Sequence, residues 1–175
     1  SYPSTGSTGD GYLFAEEYGH KVTELSPSLV PLRTEEEYIP RLKGLSLRNV
    51  RLTIKKDKKV LFEDFGEMMF THFGVTGPLI LSASARIGQA LQKEGKLKAY
   101  LDLKPALTEE QLDARILREF EAGKNKQFKI VIYVLFPSSL TPVMLELGGI
   151  PREKTIHAIS REERLRFGAL IKAFP

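Results

Sequence analysis

Alternating apolar and polar residues are clearest in the middle of the chain. Between Leu45 and Ile54 the apolar side chains lie mostly at every second position, which is the period of a half-buried strand. A lysine-rich turn follows, and two short apolar runs at 60–62 and 68–70 indicate further strands. Residues 96–103 alternate again. This pattern predicts a small antiparallel sheet, either a meander or a barrel.

Helical spacing of apolar residues appears on the C-terminal side of the first sheet segments. It predicts a helix that begins at Gly77-Pro78, with Thr76 as its N-cap, and ends at Gly95. Capping boxes at Thr108 and Ser160 begin two more helices, the first of which reaches about residue 122. The final helix is expected to bury an apolar face formed by Leu165, Leu170 and Ile171.

Two segments of the C-terminal third carry weaker patterns. Residues 128–136 are β-branched and aromatic, so intrinsic propensity alone favours a strand. Residues 140–147 have helical spacing, and Gly148-Gly149 is expected to end that helix. The fold class predicted from the whole pattern is α+β, with a small sheet packed against a helical portion.

The N-terminal region is rich in turn formers. Asp10 is expected to cap a short helix over 11–18, which Gly19 ends. Prolines break residues 21–32 into a strand-like crossing. The pattern at 34–37 matches a capping box for another short helix.

The glycine-rich start can be tested against known phosphate-binding loops. Gly6 and Gly11 have the separation of a P-loop, but Tyr12 and Leu13 stand where Lys and Ser/Thr must follow, which excludes that motif. No G-x-G-x-x-G pattern is present either. Two alternatives remain: a loop whose backbone N–H groups approach an anion or a flat ligand, and a plain turn before a helix. The loop consists of Thr8, Gly9, Asp10 and Gly11.

Charge raises the possibility of a nucleic-acid partner. The net charge is +4, from 26 basic and 22 acidic residues, and the densest basic cluster, at 55–59, contains Asp57. That cluster suits an exposed hairpin tip better than a phosphate site. A basic β-barrel module that binds nucleic acid is the alternative function, but Phe62, Phe65, Phe70 and Phe73 lie in apolar runs that we expect to be buried. Nucleic acid is therefore not the expected partner.

Composition excludes other classes of protein. The chain has no Cys and no apolar run long enough to span a membrane, and its N-terminus does not have the pattern of a signal peptide. We expect a cytoplasmic protein without a membrane partner. Both ends are abrupt, and we expect the chain to be a piece of a larger protein.

His72 is the most promising candidate for chemistry. It lies in a turn rich in Gly and Thr between an apolar strand and a helix start, where it could face a ligand or form a packed, hydrogen-bonded connection; the residues leave both open. His20 and His157 are expected to be structural or exposed, and no metal motif is present. The acidic group Glu63, Asp64 and Glu67 suits a solvated turn. No complete catalytic constellation is found.

Several segments of the chain together carry a family resemblance: Ser1–Tyr12, Gly19-His20, Pro27–Leu32, Gly44–Val50 and Phe70–Pro78 with Ile80–Ser82. They resemble the BaiN-like bacterial flavoproteins, also called the aminoacetone-oxidase family of FAD-dependent oxidoreductases. The match extends over essentially the whole chain, in order.

The resemblance implies a domain organisation. In that family a Rossmann-type FAD-binding domain is interrupted by an inserted domain with a β portion and a helical portion. Residues 1–32 would be the edge of the FAD-binding domain, and 33–175 the inserted α+β domain. The resemblance also implies that residues 128–136 are helical, and we follow it there over β propensity.

The resemblance further implies where ligands lie in a parent protein. Thr8, Gly9, Asp10 and Gly11 would bind FAD, His72 would be the catalytic candidate that faces substrate or flavin, and Thr71, Thr76 and Gly77 would face the substrate. The expected partners are the rest of the FAD-binding domain, a small-molecule substrate and NAD(P)H. Because the pyrophosphate-binding segment is missing, we expect this piece to bind FAD weakly or not at all, and to be inactive alone.

Overall fold

A curled antiparallel sheet forms the first half of the fold in the computed structural model, which describes residues 5–175. Its order is β1-β4-β3-β2-β5, and together with the helices it confirms the α+β class. The first four residues of the family resemblance lie outside the described residues. The strands are β1 (Leu32–Arg33), β2 (Ser46–Lys56), β3 (Lys59–Phe70), β4 (Gly74–Thr76) and β5 (Lys98–Asp102).

The hairpin of β2 and β3 is the longest part of the sheet. As predicted, the alternating apolar residues of β2 point inward: Leu52 and Ile54 are each 2% exposed. The two apolar runs expected to be separate strands belong to the single strand β3. Glu63 and Asp64 lie between them on exposed positions, so the polar interval is a solvated stretch of strand, and a turn was the wrong interpretation.

Helix α2 (Pro78–Glu94) packs on the sheet through its apolar residues Leu79, Ile80, Ala83 and Ile87. Gly66 on β3 faces this helix, and a Cβ there would make an ordinary contact of 3.6 Å with Leu79 Cβ. The helix ends at Gly95 as predicted. Its N-cap is Gly77, with no side-chain cap, and Thr76 belongs to β4.

The second half of the fold is helical. Its helices are α3 (Glu109–Ala122), α4 (Phe128–Val131), α5 (Thr141–Leu147) and α6 (Arg161–Lys172). The capping boxes predicted at Thr108 and Ser160 are both formed.

Within the segment 128–136, residues 128–134 are helical, as the family resemblance implied, and the last two residues form a turn. A 3-10 turn (Ile132–Val134) continues α4. Phe128, Val131, Ile132 and Leu135 are buried and follow helical spacing, so the periodicity outweighs the β propensity of these residue types. Phe128 contacts Phe120 and Phe167 edge to face, with ring centroids 6.2 and 5.2 Å apart.

The C-terminus joins the two halves. Leu101 on β5 exchanges two backbone hydrogen bonds with Phe174 (2.7 and 2.9 Å), and the Tyr38 hydroxyl donates to the Pro175 carbonyl. Burial raises the pKa of Tyr38 strongly, so the phenol stays protonated. The buried residues of sheet and helices form one continuous hydrophobic cluster.

Several predictions near the N-terminus were wrong in detail. Helix α1 (Asp10–Glu17) begins one residue early; its N-cap is Gly9 in the left-handed region (φ 87°), so Asp10 lies in the first turn. Residues 21–31 form no strand. Instead of a helix at 34–37, a 3-10 turn occupies Ile39–Leu42, where Pro40 suits the first positions.

Two predictions of burial were also wrong. Phe65 is 53% exposed, because its position on β3 points away from α2. Leu165 is 43% exposed, and Phe167 takes its expected place in the core. Both predictions failed for the same reason. A residue that follows an apolar run along the chain can still point to the solvent-exposed face of its strand or helix.

Candidate functional site

The turn between β3 and α2 is built by short-range hydrogen bonds. Thr71 N–H donates to the Gly74 carbonyl (2.8 Å), and Phe73 N–H donates to Thr71 Oγ1 (3.3 Å). Strand β4 then pairs with β3 on one side and with β1 on the other. The residues predicted to face a ligand therefore lie in a well-defined turn.

Two glycines of this turn are fixed by close backbone contacts. A Cβ on Gly74 would lie 2.0 Å from the Leu32 carbonyl oxygen. Gly77 has φ 103°, and its Cβ would lie 2.9 Å from Met68 Cα. Gly77 therefore provides the backbone conformation that connects β4 to α2.

His72 is exposed at the tip of the turn. Its ring packs edge to face on Phe73, with centroids 4.9 Å apart, and the Arg33 guanidinium lies 5.9 Å from the Phe73 ring centroid. Thr71 and Thr76 flank it at partly buried positions. His72 and Arg33 thus both lie against the Phe73 ring, and the exposed imidazole is able to contact an anionic or polar ligand from outside.

Thr34 is a residue of this region that the sequence did not identify. Its backbone N–H donates to the Phe73 carbonyl (3.3 Å), while its Oγ1 is buried without a hydrogen-bond partner in the described chain. A buried hydroxyl without a partner is uncommon in proteins, and this one is a candidate contact for a water, an ion or a ligand. No local pattern could have revealed it, because its burial results from the pairing of β1 with β4.

An apolar cleft of about 270 Å³ lies beside the same edge of the sheet. Ser84 lines it and is itself buried, accepting from Val30 N–H (2.9 Å) and donating to the Leu81 carbonyl (2.8 Å). The cleft is bounded by the segment leading to β1 and by α2, through Pro27, Val30, Leu32, Ser84, Gly88, Leu91 and Gln92.

The glycine-rich loop, Thr8–Gly11, consists of the two residues before α1 and the first two residues of that helix, at mostly exposed positions. Gly6 and Gly9 have positive φ (82° and 87°), and Tyr12 N–H donates to the Gly9 carbonyl (2.9 Å). Asp10, in the first turn, places a carboxylate where the helix dipole favours it. Within residues 5–175, no hydrogen bond or ion pair links Thr8–Gly11 to the turn at 71–77.

Two ionisable groups with shifted pKa values lie in the helical portion, outside the turn. Burial, assisted by the nearby Arg115 charge, lowers the pKa of Lys104. The hydrogen bonds from Lys154 lower the pKa of Glu163, with a further contribution from the Ser160 backbone. The Glu163 shift reflects interactions that stabilise the folded state, whereas the Lys104 shift reflects burial that disfavours the charged form of the lysine.

Metal and membrane sites have no support within the described ranges. In residues 5–175, no group of three or more His, Cys, Asp or Glu side chains is arranged to hold a metal ion. No helix of the same part of the chain has the length and apolar character needed to cross a membrane.

Comparison with known proteins gives several curated relatives. The chain is 26% identical over 147 residues to a 3-dehydro-bile acid delta(4,6)-reductase of Clostridium scindens, covering 84% of this chain and 36% of that protein. It is 28% identical over 163 residues to a ribosomal RNA dihydrouridine synthase of Haemophilus influenzae, covering 92% and 37%. The protein of that name in Escherichia coli is 26% identical over 151 residues, covering 86% and 35%.

The chain thus spans little more than a third of the length of these relatives. A family profile described as the HI0933-like protein barrel and H2TH domain matches residues 26–175. The curled sheet and the helices of this chain fit a barrel with a helical domain. Together with the relatives, it confirms the resemblance inferred from the sequence. The chain belongs to the HI0933-like barrel and H2TH domain family of the BaiN-like flavoproteins.

Proposed function

We propose that this chain is an accessory, inserted unit of an FAD-dependent oxidoreductase. It shapes or covers the flavin and substrate site and is not catalytic alone. On this proposal, residues 1–32 are the edge of the FAD-binding domain, and residues 33–175 are the insert.

The observation that carries the proposal is the exposure of α1. None of its residues is buried, and Leu13 and Phe14 are 58% and 57% exposed. Tyr18, just after it, is 84% exposed. An isolated helix of eight residues is marginal in water. Such a helix is stabilised by packing on another surface, and the rest of the FAD-binding domain is the partner that fits.

The relatives' names indicate a shared chemistry. A bile acid reductase acting on delta(4,6) bonds and an enzyme forming dihydrouridine both saturate a carbon–carbon double bond. In uridine and in 3-dehydro-4,6-diene bile acids that bond is conjugated with a carbonyl group. Its reduction adds a hydride and a proton across the bond. We propose the same reaction class for the parent protein.

The residues of this chain fit one side of an FAD site. The exposed N–H groups of Thr8–Gly11 and the positive φ of Gly9 suit close approach of a phosphate or ribityl group. When bound, FAD would supply the hydride transfer. His72, Thr71 and Thr76 would contact the substrate from the other side, and the insert would exclude water. The 270 Å³ cleft includes none of residues 8–11. On this proposal, the other walls of the FAD site are therefore formed by the rest of the FAD-binding domain.

Hydrogen exchange tests the docking of α1. In the isolated chain the amides of α1 should exchange almost without protection, while those of α2 and α3 are protected. In the full-length protein the α1 amides should be protected as well. Fast exchange of α1 in both samples would contradict the proposed docking.

A second candidate function is recognition of RNA by the parent enzyme. Two relatives are named for activity on ribosomal RNA, and this chain carries a net charge of +4. The proposed reaction is the reduction of a carbon–carbon double bond that is conjugated with a carbonyl group. A base in RNA and a small molecule that contains such a bond are its two alternative substrates. Full-length protein offered ribosomal RNA and a 3-dehydro bile acid with the delta(4,6) bonds would distinguish them, through oxidation of the electron donor.

A further inference from the structure

Two extended segments of the helical portion are joined by backbone hydrogen bonds. Phe128 N–H donates to the Lys154 carbonyl (2.8 Å), and Lys129 N–H donates to the Arg152 carbonyl (3.1 Å). Ile156 N–H donates to the Lys126 carbonyl (3.0 Å), and Gln127 forms a β-bridge with Thr155. The loop before α4 and the loop before residue 156 are therefore held side by side.

This pairing brings basic residues together. Residues 122–130 contain three lysines and no carboxylate, and the second segment adds Arg152 and Lys154 on either side of Glu153. We call this surface the basic ridge; its residues are Lys124, Lys126, Lys129, Arg152 and Lys154. It is distant in sequence from the lysine-rich hairpin tip.

Much of the charge on the basic ridge is uncompensated. Lys154 is paired with Glu163 (2.7 Å), and Lys129 lies 3.9 Å from Glu153. Lys124, Lys126 and Arg152 are exposed and form no ion pair or side-chain hydrogen bond within the described residues. Three free cations on a backbone fixed by hydrogen bonds suit a polyanion whose charges are spaced along a chain.

An exposed aromatic side chain belongs to the same helical segment as Lys129. Tyr133 is 51% exposed and follows Lys129 by four residues, a spacing that brings two positions of a helix close together. Ile130, 50% exposed, precedes Tyr133 by three residues. An exposed aromatic ring near a lysine is the arrangement by which proteins stack an unpaired base while holding its phosphate.

The lysine-rich hairpin tip is a poorer match. Lys56 is paired with Glu94, and Lys55 lies over the Tyr100 ring at 5.8 Å. Asp57 lies within the tip. Lys58 and Lys59 are its only cations without an ion pair or ring contact in residues 5–175.

We propose that the basic ridge binds the phosphate backbone of RNA, with Tyr133 available to an unpaired base. This inference rests on the second candidate function. It identifies the surface by which the insert would hold a structured RNA while a base reaches the rest of the enzyme.

The test uses full-length protein and purified ribosomal RNA of Escherichia coli, with binding measured at several salt concentrations. One variant combines Lys124→Gln, Lys126→Gln and Arg152→Gln. Its matched control combines Lys43→Gln, Lys58→Gln and Lys59→Gln, which removes the same charge from exposed positions elsewhere. The ridge variant should bind about tenfold more weakly or worse, with a salt slope smaller by about 3, while the control changes little.

Two outcomes would overturn the proposal. Equal weakening by both variants would show that net charge alone is responsible. Absence of RNA binding by the unmodified protein, or binding through the ridge only to phosphatidylglycerol vesicles, would exclude RNA as the ligand. Because flavin content and bile acid reduction are measured on the same preparations, failure of the ridge is distinguishable from failure of the oxidoreductase proposal.

Discussion

At the scale of single residues, His72 is the clearest candidate for function. It is exposed, and its described side-chain contact is the ring of Phe73. We predict that His72→Ala in the full-length protein lowers turnover by about 100-fold or more, as expected for the loss of a proton-transfer group. His157→Ala, which removes an equally exposed imidazole in the helical portion, should leave turnover unchanged.

The thermal unfolding midpoint should hardly change in either histidine variant, because neither side chain is buried. If His72→Ala keeps both its turnover and its substrate affinity, His72 is part of the packing of the turn and has no catalytic role.

The glycines make a second prediction at this scale. Gly74→Ala would place a Cβ 2.0 Å from the Leu32 carbonyl oxygen, so β1 and β4 must separate. We expect a loss of about 1–3 kcal/mol in the free energy of unfolding. Gly168→Ala is the contrasting variant: it lies within α6, and its Cβ would meet Ile116 at an ordinary 3.8 Å.

Gly168→Ala should increase the free energy of unfolding by about 0.5–1 kcal/mol, since alanine is the better helix former. Urea denaturation of both variants measures these effects. Equal stability of the Gly74→Ala variant and the unmodified chain would contradict the described contact between β1 and β4.

The residue scale also shows what local sequence could reveal. The caps at Thr108 and Ser160 were predicted correctly, because a capping box depends on residues three apart. Thr34 was taken for a cap and is a strand-edge residue with a buried hydroxyl. Its environment depends on β4, some forty residues away in the chain, which no local pattern encodes.

At the scale of elements, α6 is held by its N-terminal contacts. Glu163 accepts from the Ser160 backbone and from Lys154, and Arg164 forms a two-point ion pair with Asp113 on α3 (2.7 and 3.2 Å). The pKa of Glu163 is lowered from its ordinary value of 4.5, first by the hydrogen bond from Lys154. A carboxyl with a lowered pKa in the folded state stabilises the fold while it is ionised.

This contribution should therefore be present above pH 4.5 and be lost as the pH falls below that value through the lower folded-state pKa. Glu163→Gln keeps an acceptor for Ser160 but removes the charge. We predict that the variant is less stable than the unmodified chain at neutral pH, and that the difference shrinks in acid. Denaturation at a series of pH values measures it. A stability difference that is constant with pH would contradict the role of the ionised Lys154–Glu163 pair.

Element boundaries were predictable where apolar periodicity and end signals agreed. Strand β2 and helices α2 and α3 are such cases. Residues 128–136 were harder, because β-branched residue types opposed the helical spacing of the buried positions. The exposed face of β3 was mistaken for a turn, since a long hairpin strand carries charged residues in its middle.

At the scale of the whole molecule, one hydrophobic cluster joins sheet and helices, but α1 contributes nothing to it. Residues 26–175 match the family profile, and the relatives are nearly three times as long as the matched segment. The family and the α+β class could be recognised from the sequence. The assembly of a complete site could not be recognised, because no hydrogen bond or ion pair connects the loop at Thr8–Gly11 to the turn at 71–77 within the described chain.

The central claim is that this chain depends on the rest of its protein to hold the flavin. Titration of FAD into the isolated chain and into full-length protein stripped of cofactor, followed by calorimetry, tests it most directly. We predict that the full-length protein binds FAD tightly, and that the isolated chain binds it more weakly than micromolar. Micromolar or tighter binding of FAD to the isolated chain would contradict the account.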